Sequence, residues 1–142
     1  MQGALPEDVK TLGQSFQQAG YETGASVAAW VLAERFGVSR GFDTYNDVNE
    51  DVDNVTDHKE RPGGEITDET LAWLDENKDA PFFYWAHYFD PHDPYVPPVG
   101  YQDFEDPYDG EISFTDHQVG RLLTWLEENA GSDSEDESED EE

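Results

Sequence analysis

The sequence contains no cysteine, and only seven of its 142 residues are basic. Without cysteine the chain cannot form a disulfide, a thiolate zinc site or a cysteine nucleophile. The shortage of basic residues, against 35 acidic ones, gives a formal net charge of −28 at pH 7. A surface this negative repels nucleic acids and anionic membranes, so we expect the protein to bind neither.

Long hydrophobic runs are also missing from the sequence. No apolar segment approaches the roughly 20 residues that a membrane-spanning helix needs. The amino terminus, Met1-Gln2-Gly3, opens on neither the basic nor the hydrophobic segment of a secretory signal. We therefore expect a cytoplasmic protein.

The acidic residues are spread along the chain. Segment 131–142 carries eight of them, which leaves 27 acidic and seven basic residues in the rest. This spread favours a halophilic protein of a salt-rich cytoplasm, where cations screen the self-repulsion. The alternative is an acidic protein that binds basic partners. The halophilic interpretation predicts that folding needs molar salt, and a cooperative fold in dilute buffer would count against it.

The stretch PFFYWAHYFDPHDPY, residues 81–95, combines an apolar run with chemically active side chains. Residues 82–86 predict a buried strand. The polar residues that follow it, among prolines, are His87, Asp90, His92 and Asp93. In open α/β sheets, sites lie just beyond the carboxyl ends of strands. We expect either a divalent-cation site or an anion site with His92 as donor or general acid; the alternative is a purely structural loop.

The rest of the hydrophobic pattern predicts an α/β fold. Helices are expected at residues 5–20, 30–36, 67–78 and 108–129, and a second strand at residues 21–29. Thr67 is the predicted N-cap of the third helix. Residues 39–45 are expected to form a loop anchored by Phe42 and Tyr45. Because two strands make a thin sheet, the chain corresponds to part of a larger α/β domain.

The last predicted helix and the segment after it differ in hydrophobicity. The apolar residues expected to form the buried side of the helix are Ile112, Val119, Leu122, Leu123 and Leu126. Segment 131–142 has no apolar residue, so it cannot repay the entropy of ordering and is predicted to be disordered. We therefore divide the chain into a folded part, residues 1–130, and an acidic tail, residues 131–142.

Three other polar positions are weaker candidates for a site. Asp116 and His117 are adjacent in a predicted helix, so their side chains diverge by about 100° and should face solvent. Asp57-His58 lies in a polar loop and is also expected to be solvated. Arg40 is one of few cations and could contact an anion, but we favour a structural ion pair.

Five stretches, taken in order, resemble the sulfatase family of the alkaline-phosphatase superfamily. They are residues 11–23, which end in Gly-Tyr-Glu-Thr; GVSRGFDTY at 37–45; Ile66-Thr67 ahead of Trp73-Leu74; PHDPY within 81–95; and residues 108–123, from Tyr-Asp-Gly-Glu to Val-Gly-Arg-Leu-Leu. The resemblance covers about residues 5–129. It implies part of a three-layer α/β sandwich and hydrolysis of a sulfate ester, with calcium and a formylglycine made from Cys or Ser.

The resemblance also implies roles for individual residues. His92 matches the catalytic histidine that contacts the sulfate group and assists the leaving oxygen. His87 and Asp90 are then substrate-side residues, and Glu111 and Asp116 are structural or lining positions.

Other parts of the family pattern are missing. The nucleophile motif C/S-x-P-x-R, the amino-terminal Asp pair and the later Asp-His-Gly metal motif do not occur in this chain. We therefore expect no metal ligand and no cofactor within it.

The sequence thus predicts a partial sulfatase, inactive alone because nucleophile and metal are what lower the barrier. Its partner would be the remainder of a sulfatase domain, and its substrate, once completed, a sulfate ester. Two alternatives stay open. One is a non-catalytic acidic protein whose tail binds basic partners; the other is a stand-alone metal-binding fragment that uses His87, Asp90 and His92.

Overall fold

A computed structural model describes residues 3–48 and 60–129. The strands are β1 (Glu22–Val27), β2 (Thr44–Asn46) and β3 (Phe82–His87), and the α-helices are α1 (Leu12–Gln18), α2 (Gly63–Asn77) and α3 (Pro107–Asn129). The strands form one parallel sheet in the order β2-β1-β3. Because all three strands are parallel, their carboxyl ends lie at the same edge of the sheet.

The central strand β1 is buried along nearly its whole length, from Thr23 onward. It pairs with β3 from Glu22 opposite Phe82 to Val27 opposite His87. Its pairing with β2 is shorter, three residues on each strand. A strand buried on both faces requires a helical layer on each side.

Aromatic side chains of β3 alternate between those two layers, as the two-residue period of a strand requires. Phe83 stacks on Phe16 of α1 with ring centroids 4.2 Å apart. Its neighbour Tyr84 packs instead on Trp73 of α2, with a centroid distance of 4.9 Å. Trp73 and Trp125 of α3 belong to one buried hydrophobic cluster. The fold is therefore a three-layer α/β arrangement with α1 on one face and α2 and α3 on the other.

Strand β2 lies where the sequence predicts a loop, so the prediction of only two strands is wrong. The N–H of Asp43 donates to the carbonyl of Thr23 at 3.0 Å, and the Thr23 hydroxyl donates to Asp43 Oδ2 at 2.8 Å. The Tyr45 hydroxyl donates to the carbonyl of Leu32 at 2.7 Å. These contacts hold the segment beside β1, and a strand of three residues is too short to show a period.

Helix α2 begins at Gly63, so the prediction of Thr67 as its N-cap is wrong. Pro62 precedes the helix with a φ of −59°, which suits helix entry. A Cβ at Gly63 would lie 3.1 Å from the Tyr88 ring and 3.2 Å from the Phe114 ring, so glycine permits close packing there. Thr67 is buried inside the helix, where its hydroxyl donates to the Gly63 carbonyl at 3.1 Å.

The amino-terminal elements are shorter than predicted. Helix α1 begins at Leu12, because Thr11 and Gln14 form a capping box that fixes its start. Val9, which the longer predicted helix would bury, is exposed. Residues 30–36 form two short 3-10 turns, Trp30–Leu32 and Glu34–Phe36, in place of one helix.

Helix α3 matches its predicted bounds to within one residue, but its buried side differs from the prediction. The buried residues are Gly110, Glu111, Gln118 and Trp125. Within the predicted apolar side, Ile112, Val119 and Leu123 are exposed by 41%, 38% and 53%. Leu126, also on the predicted apolar side, is partly buried against the cluster of Trp73, Leu74 and Trp125, so the prediction is correct there.

Two further predictions, the disordered tail and the solvated Asp57-His58, lie outside the described residues. Within residues 3–48 and 60–129, no helix combines the length and apolarity needed to cross a membrane.

Candidate functional site

The candidate site lies at the carboxyl edge of the sheet, where β3 ends and the proline-rich loop begins. His87 closes β3, and the loop then passes along the first turns of α3. The Thr115 hydroxyl donates to the carbonyl of Asp90 at 3.2 Å. The loop that carries Asp90 and His92 is therefore attached to α3.

His87 is bound to the neighbouring strand. Its Nδ1 accepts a hydrogen bond from the N–H of Ala28 at 3.4 Å, and its ring meets Trp85 edge to face. Burial lowers the pKa of His87 from its ordinary value of 6.5. The neutral imidazole suits this bond, because a protonated Nδ1 could only donate. The hydrogen bond from Ala28 to His87 thus links the ends of β1 and β3. The substrate-side role of His87 stays a prediction.

Asp90 is a half-buried carboxyl group surrounded by other charges. Burial raises its pKa above the ordinary 3.8; repulsion from Glu111 and Glu60 raises it further, and attraction to His92 lowers it. Asp90 and His92 are thus close enough to interact electrostatically, and their membership of one site stays a prediction. A carboxyl group perturbed in this way is typical of functional clefts, although structural networks also produce it.

His92 presents an exposed imidazole at this edge. The ring lies against Phe89 with centroids 4.0 Å apart, while the backbone N–H donates to Glu111 Oε2 at 3.1 Å. Within the described residues no hydrogen bond engages the imidazole nitrogens. An imidazole held by its backbone and open at its nitrogens can donate to an anion or protonate a leaving oxygen.

A second polar group lies at the same edge, on the α2 side, and we call it the Arg61 cluster. Its members are Ser26, Asn46, Arg61, Glu65, Glu69 and Tyr84. The buried Ser26 hydroxyl donates to Glu69 Oε2 at 2.8 Å and lies 2.6 Å from the Tyr84 hydroxyl. Arg61 forms ion pairs with Glu65 and Glu69. Because two carboxylates already pair with it, the Arg61 guanidinium is not free to bind an anionic substrate.

Sequence patterns do not reveal this cluster. Ser26 and Glu69 are 43 positions apart, and Asn46 and Arg61 are 15 apart. The one available signal is that Arg61 is among only seven basic residues in the chain.

The calcium implied by the resemblance does not fit the described residues alone. Across residues 3–48 and 60–129, no group of three or more His, Asp or Glu side chains is arranged to hold a metal ion. The idea of a stand-alone metal-binding fragment built on His87, Asp90 and His92 therefore has no support from the geometry.

The other weak candidates have structural or solvated environments. The Arg40 guanidinium donates to the carbonyls of Pro6 and Val9, both at 2.9 Å, so its partners are backbone oxygens and not the predicted carboxylate. Asp116 and His117 are exposed on α3, as predicted.

Comparison with known proteins identifies one family and several solved structures of similar fold. The model of the Sulfatase family matches residues 1–134. Among solved structures, the chain is similar to Ps i-CgsB in complex with k-i-k-neocarrahexaose, with 19% identity and a TM-score of 0.69 over 92% of this chain and 39% of that one. No match was found among curated proteins.

Two further structures are similar to the chain. A protein in the alkaline phosphatase superfamily from Vibrio parahaemolyticus shares 14% identity, with a TM-score of 0.62 over 84% of this chain and 32% of that one. The lipoteichoic acid synthase LtaP from Listeria monocytogenes shares 17% identity, with a TM-score of 0.58 over 90% of this chain and 38% of that one.

These structural similarities concern the fold, because every identity is below 20%. The chain spans 32–39% of the length of the solved structures it matches. The predicted fold class, part of a three-layer alkaline-phosphatase-type α/β sandwich, is confirmed.

Proposed function

The chain belongs to the sulfatase family, and we propose that it is the segment of a sulfatase domain that presents His92 to the sulfate group of an ester substrate. The observation that carries the proposal is the environment of His92. Its imidazole is exposed at the carboxyl edge of the sheet, in the PHDPY stretch, while its backbone is bonded to α3. The match to the Sulfatase family supports a sulfate ester as the substrate class.

The chemistry assigned to His92 follows from the reaction. Hydrolysis of a sulfate ester breaks the bond between sulfur and the ester oxygen, and that oxygen gains negative charge as it leaves. A protonated imidazole can hydrogen-bond to a sulfate oxygen and pass its proton to the leaving oxygen. Phe89 supports one side of the ring and limits its orientations.

The charges around His92 support the proposal that this segment does not act alone. Glu111 and Glu60 lie close enough to Asp90 to raise its pKa, and these carboxylates would repel a sulfate group. A cation must offset this repulsion, and the described residues do not assemble its ligands. The sequence also lacks a C/S-x-P-x-R nucleophile motif. We therefore assign the nucleophile and the calcium site to the remainder of a sulfatase domain.

The first test is the activity of the isolated chain. Purified 142-residue protein, assayed with para-nitrophenyl sulfate and added calcium, should release no more nitrophenol than a buffer blank. Turnover above the blank that disappears in His92→Ala would show that the chain needs no external nucleophile, and would overturn this part of the proposal.

The second test uses the neighbouring genetic sequence. A C/S-x-P-x-R motif encoded upstream and an Asp-His-Gly motif downstream would define the completed enzyme. In that enzyme His92→Ala should lower turnover of an aryl sulfate by about a hundredfold to ten-thousandfold, the usual contribution of a general acid. His117→Ala, which changes an exposed histidine on α3, is the matched control and should keep wild-type turnover. Equal turnover in both variants would contradict a role for His92.

A further inference from the structure

Glu111 is a buried carboxylate that has no cationic partner among the described residues. Glu111 is only 2% exposed, and no ion pair within residues 3–48 and 60–129 includes it. Burying an unpaired carboxylate is costly unless hydrogen bonds replace its water shell. Its two oxygens accept from two backbone N–H groups of the proline-rich loop, His92 N–H at 3.1 Å and Val96 N–H at 2.5 Å.

The backbone of this loop can form few other hydrogen bonds. In the segment PHDPYVPP, residues 91–98, four of the eight residues are prolines and carry no N–H. Of the four N–H groups that remain, Glu111 binds two. Thr115, one helical turn further along α3, binds the carbonyl of Asp90. One face of α3 therefore holds the loop through three hydrogen bonds to its backbone.

We propose that Glu111 is the positioning residue of His92. One carboxylate spans the loop from His92 to Val96, so it fixes the backbone on both sides of Asp93-Pro94-Tyr95. Hydrogen bonds to an ionised acceptor are about twice as strong as neutral ones. The consequence for catalysis rests on the proposed function of His92: Glu111 holds the imidazole where a sulfate group can meet it, without touching the substrate.

The test is amide hydrogen exchange of the full chain, measured by NMR under conditions where it is folded. In wild type, the amides of His92 and Val96 should exchange at least about tenfold more slowly than the amide of Tyr95, which has no acceptor within the described residues. This comparison needs no variant, so it applies even if a substitution prevents folding. Equal exchange of the three amides would overturn the proposal.

Variants separate positioning from general stability. Glu111→Gln keeps the shape but replaces one acceptor oxygen by an NH2 group, so at least one of the two amides should exchange about tenfold faster. Amides of β1, such as those of Ala25 and Val27, should keep their exchange rates. Asp116→Asn, an exposed carboxylate on the same helix, is the matched control and should change neither loop amide.

The outcomes distinguish this inference from the proposed function. Unchanged exchange of His92 and Val96 in Glu111→Gln would refute the positioning role, whatever His92 binds. Faster exchange of the β1 amides by the same factor would show a merely structural role and would refute it too. The measurement uses no sulfate ester, so failure of the His92→Ala test would not affect its result.

Discussion

Glu69 and Glu111 lie at the same edge of the sheet, but different kinds of partner stabilise their negative charges. Glu69, in the Arg61 cluster, pairs with a guanidinium and accepts from the Ser26 hydroxyl. Glu111 has no cation among the described residues and accepts only from the backbone of the loop. Side chains such as Arg61 can adjust their rotamers, whereas a backbone N–H moves only with the chain that carries it.

We infer from this difference that the Arg61 cluster contributes to the stability of the fold, whereas Glu111 fixes the position of one loop. Arg61 joins two elements of the fold. Its ion pairs reach Glu65 and Glu69 of α2, and it also donates to the Asn46 carbonyl, at the end of β2, at 3.2 Å. A carboxylate that binds two N–H groups fixes one segment of backbone. We therefore expect substitutions in the Arg61 cluster to affect global unfolding most, and substitutions near Glu111 to affect the loop most.

Removing Arg61 should produce the largest effect. Its side chain is only 10% exposed, and Arg61→Ala leaves Glu65 and Glu69 facing each other without a cation. Breaking a fully buried pair costs about 3–5 kcal/mol. Because Glu65 and Glu69 are 52% and 32% exposed, we expect a loss of about 2–3 kcal/mol in the free energy of unfolding. Urea unfolding at one fixed salt concentration measures it.

Arg121 supplies the control for that experiment. Its ion pair with Asp68 is exposed, with side-chain exposures of 36% and 69%. Arg121→Ala should therefore cost less than about 1 kcal/mol. If both arginine variants lose the same stability, the Arg61 cluster has no special role in the fold and the comparison with Glu111 fails.

The contact between α3 and the loop can be disturbed through Gly110. A Cβ there would lie 2.3 Å from the Tyr101 carbonyl oxygen and 2.9 Å from Pro97, so Gly110→Ala must push the loop away from α3. We expect a loss of about 1–2 kcal/mol in the free energy of unfolding and faster amide exchange at His92. Gly120→Ala is the control on the same helix; nothing lies within 4 Å of its Cβ, so it should stabilise by up to about 1 kcal/mol. Equal stability of the two variants would contradict close packing at Gly110.

The sequence predicts those parts of the molecule that are determined by residues close together in the chain. The apolar run of β3, the loop after it and the extent of α3 follow from hydrophobicity and proline content. The family resemblance, spread over five stretches, is confirmed by the family match over residues 1–134. The first three signals each lie within one continuous segment, and the resemblance is the sum of five such segments.

What the sequence misses depends on distant partners. Strand β2 is three residues long and forms beside β1 through contacts between Asp43 and Thr23. The buried side of α3 is set by α2 and the loop, so its apolar residue Ile112 is exposed while the acidic Glu111 is buried. The bonds of Glu111 join residues 19 and 15 positions apart. No local period encodes such pairs, so the two hydrogen bonds from the His92 loop to Glu111 could not be derived from the sequence.

The smallest expected effect tests the link between the two regions. Ala28, just beyond β1, accepts from the Arg61 N–H through its carbonyl and donates through its own N–H to His87 Nδ1. His87 in turn begins the segment that leads to the loop. Because burial lowers the pKa of His87 in the folded state below 6.5, the unfolded state binds more protons in the window just below pH 6.5. The stability that neutral His87 contributes is therefore complete above pH 6.5 and is lost as pH falls toward the folded-state pKa.

We accordingly expect wild type to lose stability as pH falls below about 6.5, relative to His87→Gln, which has no imidazole to protonate. Urea unfolding of both proteins at several pH values and one salt concentration gives the difference, from which the other titrating groups cancel. If the free energies of unfolding of the two proteins change in parallel with pH, His87 is equally hydrated in the folded and unfolded states. In that case the bond from Ala28 does not hold the imidazole, and the Arg61 cluster and the His92 loop are joined only through the pairing of β1 with β3.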